Sequence, residues 1–89
     1  MQYIIQQHPV IGTTKVPMGK ILTIGYYKED LYAWIIPISN NPDLVQTLKV
    51  YHDTDSISAE DLTRSHHVGS AIAENGYVSH VFSDYKYPG

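Results

Sequence analysis

Between Ile21 and Ile38 the chain reads ILTIGYYKEDLYAWIIPI, two apolar, aromatic-rich runs divided by the polar tripeptide Lys28-Glu29-Asp30. Each run has the length of a strand and neither carries a helical stripe, so the pair predicts a β-hairpin. It holds the only Trp and three of the eight Tyr. In the first run Leu22, Ile24 and Tyr26 alternate with Ile21, Thr23, Gly25 and Tyr27. In the second, Tyr32, Trp34, Ile36 and Ile38 share one face, and Leu31, Ala33 and Ile35 the other. Both faces of both strands are substantially apolar, whereas a sheet wetted on one side alternates cleanly. The second face therefore needs cover, from the rest of the chain or from another copy of it. With 89 residues the chain makes one domain, 1–89, burying only about 60–65% of the surface its unfolded form exposes. Self-association is a common remedy at this size.

The remaining segments read mostly as further strands. A short strand is expected over 2–7, ended by His8-Pro9 because Pro gives no ladder donor. A second runs over 12–16. Pro17-Met18-Gly19 has turn chemistry, with Gly supplying a positive φ. Ser39-Asn40-Asn41-Pro42-Asp43 is a loop. Residues 44–52 fit either a strand or helical spacing through Leu44, Leu48 and Tyr51, and strand is the reading preferred. Asp53 to Ser56 is a loop, followed by a short helix from Ala59 to about Arg64, with Ser58 as N-cap and an acid three places on. Residues 66–73 and 77–83 form a second hairpin across Glu74-Asn75-Gly76, Asn-Gly being a strong turn signal. Residues 84–89 read as a loose C-terminal tail. The fold class expected is mainly β, a small antiparallel sheet closed as an open barrel or sandwich, with one short helix near 58–64.

Charge and composition remove several functions. Six Lys plus Arg against nine Asp plus Glu give a net charge of −3. That argues against bulk nucleic-acid binding and attraction to an anionic membrane. No Cys is present, which excludes disulfides and thiolate metal sites and suits a reducing compartment. No apolar run is long enough to span a bilayer, and MQYIIQQHPV lacks the pattern of a signal peptide.

Chemistry-bearing motifs are sparse. Five histidines invite a metal reading, but His66 and His67 are neighbours on a strand and point to opposite faces, and no carboxylate stands at ligand spacing. Asp53-x-Asp55 opens like a calcium loop but lacks the Gly and the later Glu. There is no Gly-x-Ser-x-Gly elbow or phosphate loop, and Ser, His and Asp make no triad without geometry. The expectation is therefore a non-enzymatic protein with no cofactor and no metal. Arg64, the only arginine, sits at the helix end beside Ser65 and His66, where its fork could grip a phosphate or carboxylate. Its alternative role is a helix-terminal cation favoured by the dipole. Tyr26, Tyr27, Tyr32, Trp34, Tyr51 and Tyr77 offer stacking faces or serve core and interface.

Three pieces carry a resemblance: Pro17-Met18-Gly19-Lys20-Ile21-Leu22, Tyr32-Ala33-Trp34-Ile35-Ile36, and His67-Val68-Gly69-Ser70 followed by Gly76-Tyr77-Val78-Ser79-His80-Val81-Phe82. Their order and spacing, over roughly residues 15 to 83, resemble a family of short bacteriophage proteins. Its pattern is Pro-x-Gly-Ala-x-Ile-Leu, a Trp strand, a Gly-Thr-Gly-His element, an aromatic-Ile-Gly-Thr step and a closing Val-x-His-Val-Phe strand. Here Tyr51-His52-Asp53-Thr54-Asp55 stands where that family has Gly-Thr-Gly-His, and the Trp is displaced by two positions. The resemblance implies a phage product acting in the host bacterial cytoplasm, and by analogy a counter-defence protein. That analogy suggests a homo-oligomer sequestering a host nucleotide signal, a cyclic oligonucleotide or ADP-ribose-type molecule, at subunit interfaces. The expected ligand-binding residues are Arg64, His66, Tyr51, Thr54, Tyr77 and Tyr26, with bases stacked on Tyr and phosphate held by Arg. The alternatives are an inhibitor that binds a host protein directly, or a minor virion or assembly protein.

Overall fold

In the computed structural model, which describes residues 3–88, the central hairpin closes through Lys28 and Glu29, whose φ angles are 50° and 73°. Two successive left-handed residues make the turn that matches the twist of paired strands. Asp30 is already in the ladder, opposite Tyr27, so the loop is two residues rather than the expected three. In chain order the elements are β1 (Gln6–Pro9), β2 (Thr13–Pro17), β3 (Gly19–Tyr27), β4 (Asp30–Pro37), β5 (Val45–His52), α1 (Ala59–Arg64), β6 (His66–Ile72) and β7 (Val78–Ser83). They form two antiparallel sheets, β1-β4-β3 (sheet A) and β2-β5-β7-β6 (sheet B). The expected open sandwich with one short helix is the architecture found; the sheets do not close into a barrel.

The inner faces meet in one core. Sheet A contributes Ile24, Leu31, Ala33 and Ile35; sheet B contributes Val16, Leu48, Ala71 and Val81; Val10, just after β1, is buried with them. So the chain itself covers one face of the Ile21–Ile38 ribbon. Tyr32, Trp34 and Ile36 lie on the other face, half-buried, with no second sheet over them among the described residues. On β3 the alternation breaks. A bulge between Ile21 and Thr23 leaves Leu22 as the extra residue, exposed, and sets Ile21 and Ile24 on the inner face together. The expected grouping of Leu22 with Ile24 and Tyr26 fails because one inserted residue reverses everything before it.

Residues 17–19 carry the chain from sheet B to sheet A. Gly19 is needed for closeness and not for turning: a Cβ there would lie 2.1 Å from the Ile36 carbonyl oxygen. The crossover is fastened by Gln46, which is 1% exposed. Its amide donates to the carbonyls of Pro17 (3.1 Å) and Gly19 (3.2 Å), and its oxygen accepts from the Ser83 hydroxyl at 2.6 Å. At the other end of the sandwich Tyr26 Oη and Ser79 Oγ hydrogen-bond at 2.7 Å across the two sheets.

Other boundaries follow local chemistry. The opening strand is Gln6–Pro9, not 2–7; Gln2 lies outside the described residues. Pro9 stays in the strand because β1 is an edge, where one side of the ladder needs no donor. The ambiguous segment is strand β5. Ser58 caps α1, its hydroxyl accepting from the Asp61 amide at 3.0 Å. Beyond β7, Asp84 exchanges hydrogen bonds with the Thr47 backbone and the Tyr85 amide donates to Ser83 Oγ. Among the described residues no helix is long and apolar enough to cross a membrane.

Candidate functional site

The outer face of sheet B carries most of the polar chemistry. Register sets who stands beside whom. Phe82 on β7 lies between Lys49 on β5 and His67 on β6; one step along, His80 lies between Tyr51 and Ser70. The rings form a continuous run: Tyr51 to Phe82 at 5.6 Å edge-on, Phe82 to His67 at 5.3 Å, and His67 to His80 at 6.4 Å. Such tilted contacts suit the quadrupoles of the rings.

Helix α1 rests against this face. Asp61 points down to it, taking the Tyr51 hydroxyl at 3.4 Å and the Lys49 ammonium at 3.6 Å. A hollow of about 220 Å³ lies where α1 meets the sheet, bordered by Thr47, Lys49, Asp61, Arg64, Ser65, Phe82 and Asp84. Arg64 is 76% exposed and paired with Glu60 one turn earlier at 2.8 Å. An exposed pair of this kind contributes only about 0.3–0.5 kcal/mol, so the guanidinium is readily given up to a stronger anion. Both roles expected for Arg64, helix-end cation and anion fork, are thus compatible with its position.

The second feature is a chain of four side chains. His80 Nε2 lies 2.8 Å from Asp53 Oδ1; His80 Nδ1 lies 2.7 Å from Ser70 Oγ; His67 Nε2 lies 2.8 Å from the same Oγ. Asp53 comes from the β5–α1 loop. The loop's shape is set by the Asp55 carboxylate accepting from the His52 amide at 2.7 Å, and by Thr54 at φ 73°. The side chains are open to water, Asp53 64% and His80 35% exposed.

Of the six residues expected to bind ligand, Arg64 and Tyr51 share the α1 side of this face. Thr54 sits in the loop that presents Asp53. Tyr77 lies just before β7 and stacks on His52 with centroids 4.5 Å apart. His66 pairs with Ser83, a core-facing position, so it sits on the opposite face of β6 from the ring run. Tyr26 is not on this surface: it lies on the inner side of β3, bonded to Ser79. It borders a hollow of about 560 Å³, an open trough between the hairpin tips at Lys28-Glu29 and Glu74-Asn75. Its hydroxyl is already committed, and nothing else in that trough stacks.

Lys49, Phe82 and Ser70 have no part in the site expected from sequence, and His67, His80 and Asp53 are weighed there only as metal or calcium ligands. The available signal was the three-residue connection Glu74-Asn75-Gly76. Counting back from the Ala73–Tyr77 pair, whose closing hydrogen bond is 2.8 Å, puts Ser70 opposite His80. Partial burial on β1 holds the His8 imidazole below its usual value. Among the described residues no cluster of three or more His, Cys, Asp or Glu could hold a metal ion. No family model, curated protein or solved structure matches the chain.

Proposed function

We propose that this is a homo-oligomeric binding protein that sequesters a phosphate-bearing nucleotide signal, without chemistry on that ligand, on the outer face of sheet B. The observation that carries the reading is the ring run Tyr51–Phe82–His67 beside the hollow bordered by Lys49 and Arg64. Flat aromatic faces take a base, and Lys49 and Arg64 exchange their carboxylate partners Asp61 and Glu60 for its phosphate. The hollow is smaller than the roughly 300 Å³ at which enclosed small-molecule pockets begin, so the ligand lies across the surface. Retention of a signal needs affinity and abundance, not turnover. The resemblance to phage proteins supplies the setting, counter-defence in a bacterial host.

Self-association uses the other side. Tyr27, Tyr32, Trp34 and Ile36 project from sheet A, with ring centroids 6.3 Å (Tyr27–Tyr32) and 6.1 Å (Tyr32–Trp34) apart. A site at the border between copies would need the apolar face and the ligand residues on one surface; they lie on opposite sides of the sandwich. On this reading each chain carries one site.

Calorimetric titration with cyclic di- and trinucleotides and ADP-ribose derivatives tests the reading. One of them should bind, and Arg64→Ala or Lys49→Ala should each weaken it about 10- to 100-fold, the worth of a charged hydrogen bond. Absence of heat across the panel overturns it. The aromatic face of sheet A also fits a host protein as partner, and stoichiometric capture of one from lysate, lost in Trp34→Glu, would favour that second reading.

A further inference from the structure

We propose that Ser70 is an activated nucleophile that accepts an acyl group from small activated esters. A carboxylate only accepts hydrogen bonds, so Asp53 fixes the imidazole proton of His80 on Nε2. Nδ1 then carries a lone pair, and the Ser70 hydroxyl, 2.7 Å away, donates to it. Ser70 Oγ in turn accepts from His67 Nε2–H. One charged group thereby orders every proton along the chain, and Ser70 is left with its proton aimed at a base. Nucleophile, base and orienting group within hydrogen-bond reach are the signature of nucleophilic catalysis. The arrangement does not depend on the nucleotide reading.

The surroundings set the substrate. Asp53 and His80 lie open on the surface, and the hollow beside α1 on that face is small. Bulky acyl chains therefore find no enclosure, and the leaving group must depart without much help. Aryl esters of short acids meet both conditions. In the first step Ser70 Oγ forms a bond to the carbonyl carbon and its proton passes to His80 Nδ1. The bond to the aryl oxygen breaks, and the aryloxide leaves, taking up that proton as the phenol. In the second, His80 takes a proton from water, the hydroxide attacks the acyl carbon, and the proton returns to Ser70 Oγ as the carboxylic acid departs. Ser70 and His80 are the catalytic residues, and Asp53 is a positioning residue.

The test is 4-nitrophenyl acetate with the full-length protein. Nitrophenolate release is followed by absorbance, and the acetyl adduct is located by peptide mass spectrometry. An adduct on Ser70 and release reduced about 100-fold or more in Ser70→Ala, the scale of general-base assistance, support the proposal. Ser70 is exposed, so this variant should keep the wild-type melting temperature. Imidazole nitrogen NMR reads the role of Asp53: in Asp53→Asn the fixed Nε2–H tautomer of His80 should be lost, with acylation slowed at unchanged thermal stability. No Ser70 adduct, equal release from Ser70→Ala, or an unchanged His80 tautomer in Asp53→Asn would each overturn the proposal.

Discussion

Replacing Gln46 by Leu keeps side-chain volume but removes every polar contact that the Gln46 side chain makes at the crossover between the sheets, leaving the backbone bonds of Met18 to Leu44 and Ile38 in place. The Pro17 and Gly19 carbonyls lose a donor and the Ser83 hydroxyl loses its acceptor. Each bond contributes about 1 kcal/mol net, and a buried group left unmatched costs about 1–3 kcal/mol. The added apolar side chain returns roughly 1 kcal/mol. The net loss is about 2–4 kcal/mol, a large share of the roughly 5–15 kcal/mol that holds a domain together. Urea unfolding followed by Trp34 fluorescence measures it, at one fixed protein concentration because association adds to apparent stability. Adding Ser83→Ala removes the stranded hydroxyl, so the double variant should be about 1 kcal/mol more stable than the sum of the singles predicts. A Gln46→Leu midpoint within about 0.5 kcal/mol of wild type, at equal slope, refutes the claim that this amide holds the crossover.

Three further outcomes follow from single features. Lys28→Asn with Glu29→Gly should stabilise the protein by about 1–2 kcal/mol, because both positions are left-handed and L side chains are strained there; a melting temperature unchanged or lower would contradict this. His8 is held neutral by burial, so the unfolded chain takes up its proton first. Stability from this source is complete above about pH 6.5 and is lost as pH falls through the lower folded value. The melting temperature of His8→Gln should therefore fall less than that of wild type between neutral and mildly acidic pH. Trp34→Glu should weaken self-association at least tenfold by sedimentation, leaving far-ultraviolet dichroism unchanged, since Trp34 faces away from the core.

The parts of the fold visible in the sequence were those governed by near neighbours. Alternation in 31–37 separates the core set Leu31, Ala33, Ile35 from Tyr32, Trp34, Ile36, and Ser58 with an acid at Asp61 marks the helix to the residue. Features fixed by distant partners were hidden. The Leu22 bulge is decided by pairing with β4. Gly19 is required by the Ile36 carbonyl, 17 residues on, and not by its own φ. The Asp53–His80–Ser70–His67 chain joins a loop to two strands through register, so no local motif announces it. Tyr26 shows the same dependence on register: an exposed Tyr would suit a stacking surface, and the β3 pairing turns this one inward to Ser79.

Native mass spectrometry at micromolar concentration, with and without a cyclic dinucleotide or ADP-ribose derivative that gives calorimetric heat, reads assembly and occupancy together. The account predicts a species of at least two chains that gains one ligand per chain, with the gain reduced in Arg64→Ala. A bare 10.1 kDa chain that takes up nothing at any concentration would contradict it.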